Sequence, residues 1–252
     1  MTACDVVSVI AKRPDSPRLI LNHNLHSAYL YRENSWFRDF YAMSDLIVID
    51  GWPIFTLAAT SRTLSSDYRI GSTDWISALW ASPDLDPMRV FILGGSEQVN
   101  ADAISSWWKW RSTDSVAGRS GYMTVDEEQG VVDMIREHDP HLILVGMGMP
   151  LQEAFLTRNL AQMPNAYIAT VGGAVDYVAG AVKLSPRWLG RLGLEWMWRL
   201  AHDPARLYGR YIVEPFKLAS VIMRDRLRGR RGEGKSVLAG TTRPRVDAAI
   251  RS

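Results

Sequence analysis

The stretch His141 to Phe155, HLILVGMGMPLQEAF, does most to limit what this chain can become. Leu142 to Val145 are apolar without a break, as in a central parallel strand covered on both faces. Gly146 and Gly148 then allow a tight turn and the close approach of a ligand to backbone. Pro150 suits the first position of a helix, where its missing N–H costs nothing. Gln152 and Glu153 follow in the first helical turn, just past the carboxyl end of the strand. Open α/β sheets bind their ligands there. An ordinary strand-to-helix turn would show the same local pattern, so the weight falls on the rest of the chain.

That pattern repeats. Arg18 to Leu21 reads as a strand running into Asn22-His23-Asn24 and a helix from Leu25 to Arg32. Asn22 and Asn24 are placed either to face a ligand or to cap that helix. Trp36 to Met43 reads as helix. Leu46 to Ile49 is the next buried strand, ending in Asp50-Gly51-Trp52-Pro53 before a helix from Ile54 to Ala59. An aspartate at such a strand end suits a base or a ribose contact, with Gly51 leaving room beside it. A helix cap is its other role.

Arg69 has the planar fork of donors that clamps phosphate, or it pairs with a nearby acid. Gly71-Ser72-Thr73-Asp74 reads as a turn and N-cap for a helix from Trp75 to Trp80. Arg89 to Leu93 is a strand with a Gly94-Gly95 exit, followed by a helix from Glu97 to Trp110. A short strand is expected from Asp114 to Gly118, and a helix from Val125 to Glu137. After the helix from Leu151 to Leu160, Ala166 to Val171 forms another strand, with its exit at Gly172-Gly173. Strands alternating with helices predict an α/β fold with a mostly parallel, helix-covered sheet. No element is assigned before Arg18.

Charge divides the chain of 252 residues, whose net charge is only +2. Residues 1–182 carry −8, residues 183–235 carry +8 and residues 236–252 carry +2. A basic end on an acidic body calls for an anionic partner, a nucleic acid or a membrane surface. Three of the ten tryptophans, Trp188, Trp196 and Trp198, fall in the basic part, which favours a membrane surface. Trp188 to Leu200, Ala205 to Tyr211 and Phe216 to Leu227 are expected as basic amphipathic helices, able to lie in a membrane interface or to dock on the core or another subunit. From Gly229 onward the chain reads as a disordered basic tail.

The division is therefore a core over 1–182, a helical appendage over 183–228 and a tail over 229–252. Cys4 is the one cysteine, which excludes an internal disulfide and a cysteine-based structural zinc site. The first residues do not form a recognisable signal peptide, and no apolar segment is long enough to span a bilayer.

The segments SDLIVIDGWP, RIGSTDW, LILVGMGMPLQEAF, ATVGGAVDYVAG and SPRWLGRLGLEWMWRLAHDPARLYGRY resemble, in order and spacing, the WecG/TagA/CpsF family of bacterial glycosyltransferases. The resemblance covers roughly residues 18–225. It implies a Rossmann-like core with a helical, basic C-terminal appendage that completes the active site and contacts the membrane. It also implies inverting transfer from a UDP-sugar to a polyprenyl-diphosphate-linked sugar at the cytoplasmic membrane face, in surface polysaccharide synthesis, without a bound metal or other cofactor.

On that resemblance Asp50 is the catalytic base, with Arg69 and Gln152 beside it in the catalytic set. Asn22, Asn24, Gly51, Gly146, Gly148, Glu153, Gly172 and Gly173 line the substrate site. Asn22 stands where the family usually has threonine. Arg199, Arg206 and Arg210 of the appendage are expected to grip the lipid diphosphate, and a homo-oligomer is a further possible assembly. Three rivals remain at this level. A dehydrogenase would need a glycine fingerprint and a ribose-binding acid that are not present in order. A basic RNA-binding protein has only the charged tail in its favour. An inactive membrane scaffold of the same fold would not need Asp50, Arg69 and Gln152.

Overall fold

A computed structural model describes residues 1–59 and 65–182, then residue 189, a helix over 195–202 and single positions as far as 224. Six strands form one parallel sheet: β1 (Arg18–His23), β2 (Leu46–Ile49), β3 (Arg89–Gly94), β4 (Ser115–Arg119), β5 (Leu142–Gly146) and β6 (Tyr167–Thr170). Their order across the sheet is β2-β1-β6-β5-β3-β4.

The strand sequences are apolar because both faces are covered. Along β1, Leu19 and Leu21 face one layer and Ile20 the other. The first layer holds α1 (Ala3–Ile10), α5 (Ser72–Trp80), α6 (Glu97–Trp110) and α9 (Ala174–Val178), through Ile10, Trp75, Trp107 and Val175. The second holds α3 (Ser35–Ala42), α7 (Glu128–His138) and α8 (Leu151–Asn159), through Phe37, Val132 and Phe155. The expected α/β class, with a Rossmann-like sheet clothed by helices, is what the chain adopts.

Helix directions position the site. The chain leaves β3 and β6 toward the first layer and leaves β5, between them, toward the second. Neighbouring strands that exit to opposite faces open a crevice beyond their carboxyl ends.

Local reading erred at several boundaries. Before β1, where the sequence pattern predicts no element, α1 packs Val6, Val7 and Ile10 inside and against α5. Its valine-rich sequence suits a strand, but a capping box starts a helix: Thr2 N donates to Asp5 Oδ2 at 2.7 Å and Asp5 N to Thr2 Oγ1 at 3.3 Å. α4 (Trp52–Ala59) begins before the expected Ile54, and α2 (Leu25–Glu33) runs to Glu33. α5 starts at Ser72 instead of Trp75, since Gly71 is its N-cap and Gly71 N donates to Asp74 Oδ2 at 2.7 Å.

Pro150 is the N-cap of α8 and not its first helical residue. A 3-10 turn, Val125–Glu127, precedes α7, which ends where Asp139 takes a left-handed φ of 46°. β4 starts at Ser115, because Asp114 is held inward by Arg111 and Trp107.

Of the basic region, α10 (Glu195–His202) is helical as expected. The other parts of the three expected appendage helices, and the tail from Gly229, lie outside the described residues apart from single positions. Among the described residues no helix is long and apolar enough to cross a membrane.

Candidate active site at the carboxyl edge of the sheet

Register brings the predicted residues to one edge. Leu46, Ile20, Ala169, Leu144 and Ile92 stand side by side across five strands. A few residues further along each strand come Asp50, Asn22 and Asn24, Gly172, Gly146 and Gly94.

Asp50 is half-buried, and its backbone N–H donates to His23 O at 2.9 Å. On the outer side of β2, the segment after the 3-10 turn Ser66–Tyr68 lies parallel to the strand end. Ile49 bridges Arg69, and Ile70 N donates to Ile49 O at 2.9 Å. Gly71 is thereby set against Asp50: a Cβ there would stand 3.1 Å from Asp50 Oδ1 and 3.5 Å from Asp74 Oδ2. The Arg69 guanidinium lies over the Trp52 ring, 5.2 Å from its centroid, a cation–π arrangement that fixes the plane of its donors. Gly51 takes a φ of +87°, which lets the chain turn from β2 into α4.

Asn22 is buried, with three of its atoms used by the protein. Its amide nitrogen donates to Ser72 Oγ, its backbone N–H to Thr170 Oγ1 at 3.4 Å, and its carbonyl accepts from Tyr41 OH at 3.1 Å. Asn24 is the N-cap of α2: Ser27 N donates to its Oδ1 at 3.1 Å, and Asn24 N donates to Ser27 Oγ at 2.8 Å. The capping role weighed for Asn24 is thus realised. His23 lies between them, its Nδ1 2.9 Å from Ser27 Oγ. Burial pulls its pKa down to about 4, so it is neutral near pH 7. Burial likewise raises the Tyr41 hydroxyl far above its usual range, which leaves it a hydrogen-bond donor.

Gln152 and Glu153 are fully inside, at 0% and 1% exposure. Gln152 Oε1 accepts from Gly172 N at 3.2 Å, and its Nε2 donates to Glu153 Oε1 at 2.8 Å. The amide therefore fastens the turn after β5 to the turn after β6. The glycines serve different ends. At Gly146 a Cβ would meet Val175 Cγ2 at 2.3 Å and Gly172 O at 2.7 Å, so this glycine lets α9 and the β6 exit close on β5. At Gly94 it would meet Gly146 O at 2.5 Å, a packing reason for that glycine-rich exit. At Gly148 (φ +80°) and Gly172 (φ +51°) a Cβ would meet nothing within 4 Å, so the space beside the chain there is open. Gly173 precedes the first residue of α9 as its N-cap.

Ser72, Tyr41, Thr170 and Trp52 were not singled out by the sequence reading. A polar Thr170 closing an apolar strand was the one local signal available. The Arg199 side chain, Arg206 and Arg210 lie outside the described residues. Among the described residues no cluster of three or more His, Cys, Asp or Glu side chains is placed to hold a metal ion. A polar cleft of about 580 Å³ lies at the opposite edge of the sheet, lined by Arg13, Arg136, Asp139 and Asn165, away from all these residues.

Residues 1–232 match the glycosyl transferase WecG/TagA/CpsF family. The chain belongs to that family. The WecG/TagA/CpsF assignment makes it a glycosyltransferase, and the family's sequence pattern spans both the sheet and most of the basic region. The chain is also similar to the N-acetylglucosaminyldiphosphoundecaprenol N-acetyl-beta-D-mannosaminyltransferase of Bacillus spizizenii. The two are 29% identical over 209 residues, covering 82% of this chain and 79% of that protein.

Proposed function

We propose that this glycosyltransferase moves one sugar from a UDP-sugar to the sugar of a polyprenyl-diphosphate-linked acceptor, with inversion, at the cytoplasmic face of the membrane. The observation that carries this is Asp50, half-buried at the end of β2 among Gly71, Arg69 and the Asn22–Ser72 pair.

Three strand spacings separate β2 from β5, about 14 Å. One reacting atom cannot touch both edges, but an extended nucleotide-sugar can lie along the crevice. The diphosphate and nucleotide lie over the open backbone at Gly148 and Gly172–Gly173, and the sugar lies toward Asp50. Asp50 takes the proton from the acceptor hydroxyl as that oxygen bonds to the anomeric carbon. The bond from that carbon to the UDP oxygen breaks on the opposite side, and UDP leaves with the bonding pair. Arg69 meets a diphosphate with its planar donors. Gln152 acts by fixing the two turns in place, since both ends of its amide bond to protein.

The appendage arginines Arg199, Arg206 and Arg210 hold the lipid diphosphate. Exposed Met197, Tyr208, Phe216 and Met223, with Lys217 and Arg224 among them, suit contact with a membrane surface. The printed activity of the Bacillus spizizenii relative, acting on an undecaprenol-linked diphosphate sugar, supports this acceptor class. The test is purified protein with detergent-solubilised polyprenyl-diphosphate sugars and a panel of UDP-sugars, read by mass spectrometry of the lipid. A gain of one sugar from one donor is expected. Folded protein that transfers from none of them overturns the reading.

A further inference from the structure

His26 lies in the first turn of α2, two residues past Asn24 and on the rim of the crevice. Its Nδ1 is 2.6 Å from Oε2 of Glu214, a residue 188 positions later in the appendage. Both side chains are largely covered, at 13% and 19% exposure. An ionised carboxylate can only accept, so Nδ1 carries the hydrogen and donates. Such a charge-assisted bond, shielded from water, is directional and stronger than a surface pair. Neither residue is used by the chemistry above.

We propose that His26 and Glu214 form a latch that seats the appendage on the rim, and so act as positioning residues for the lipid-linked acceptor. The inference rests on the appendage holding that acceptor. Chain geometry links the latch to the predicted grip: Arg210 is four residues before Glu214, so their Cα atoms can be no more than about 14 Å apart. Fixing Glu214 at the rim keeps Arg210 near the crevice. Donor binding, placed on the strand turns, does not depend on the latch.

The experiment compares wild type, His26→Ala, Glu214→Ala, the double variant and Glu214→Gln, each in hydrogen exchange and in transfer kinetics. Glutamine retains an oxygen able to accept from Nδ1. Each alanine variant is expected to speed amide exchange around residue 214 and to raise the acceptor KM by roughly tenfold, with donor KM unchanged. The double variant should be no worse than either single one, because one interaction is lost in all three. Glu214→Gln should recover part of the acceptor KM. Unchanged exchange in both alanine variants, effects that add in the double variant, or equal changes in donor and acceptor KM would each overturn the latch. Exchange reads the contact without any turnover, so loss of the proposed reaction and loss of the latch are distinguishable.

Discussion

Gly146 and Gly148 stand in one turn, yet a methyl group at each meets a different obstacle. Gly146→Ala drives a Cβ into Val175 and the Gly172 carbonyl, and backbone cannot rotate away as a side-chain tip can. It should destabilise the protein by about 1–3 kcal/mol in urea unfolding. Gly148→Ala meets nothing but carries a φ of +80°, and should cost about 1–2 kcal/mol. Its larger effect should be on donor KM, through backbone placed for the ligand.

His23 adds a pH signature. Its folded pKa of about 4 lies below the ordinary 6.5, so between these values the unfolded chain binds the extra proton. Stability is complete above pH 6.5 and falls as pH drops toward 4. From pH 7 to pH 5 the loss from this residue should be about 2 kcal/mol. Urea unfolding of wild type and His23→Gln at both values checks it. An equal fall in the two proteins would contradict the assignment.

At the level of elements, one buried carboxylate fastens the end of α6 to the start of β4 and β3. Asp114 accepts from Met88 N at 3.0 Å, Trp107 Nε1 at 2.9 Å and Arg111 Nε at 2.8 Å. The other Arg111 nitrogens reach the carbonyls of Ser82, Leu85 and Asp86. Asp114→Ala leaves a guanidinium inside without its counter-charge, and should cost about 3–5 kcal/mol in chemical unfolding. From sequence, Asp114 is only the expected first residue of a strand, because its partners come from two other segments, the approach to β3 and the end of α6.

The same limit explains what else was and was not legible. Apolar runs disclosed β1, β2, β3, β5 and β6, three of them with glycine exits at Gly94, Gly146 and Gly172, since burial on both faces leaves a local imprint. Side-chain caps at Asn24 and Ser96 put α2 and α6 at the expected starts, whereas the glycine cap at Gly71 began α5 three residues early and the capping box at Thr2 made a helix where none is expected. Asp50 and Arg69 were legible as candidates, but not the strand-like bridge that sets Arg69 beside Ile49. Gln152 was legible as important, though its use, tying two turns together, required the fold.

At the scale of the whole molecule, we propose that the charge division near residue 182 is also a packing division. Every buried apolar side chain among the described residues lies at or before Val178, so the core has its own interior. A chain ending at residue 182 should therefore melt cooperatively, with the far-ultraviolet signature of a folded α/β protein. It should lose transfer to the lipid acceptor and binding to anionic vesicles. A truncated chain that still glycosylates the lipid at the full rate would show that the appendage has no part in holding the acceptor.

In the proposed reaction a carboxylate at the end of β2 takes the acceptor's proton, and one substitution isolates that step. Asp50→Asn keeps the size and place of the side chain but cannot act as the base. With donor and acceptor saturating, kcat should fall by roughly 10²–10⁴-fold while the thermal midpoint and donor KM stay close to wild type. Transfer by a folded Asp50→Asn protein at the wild-type rate would show that Asp50 is not the base.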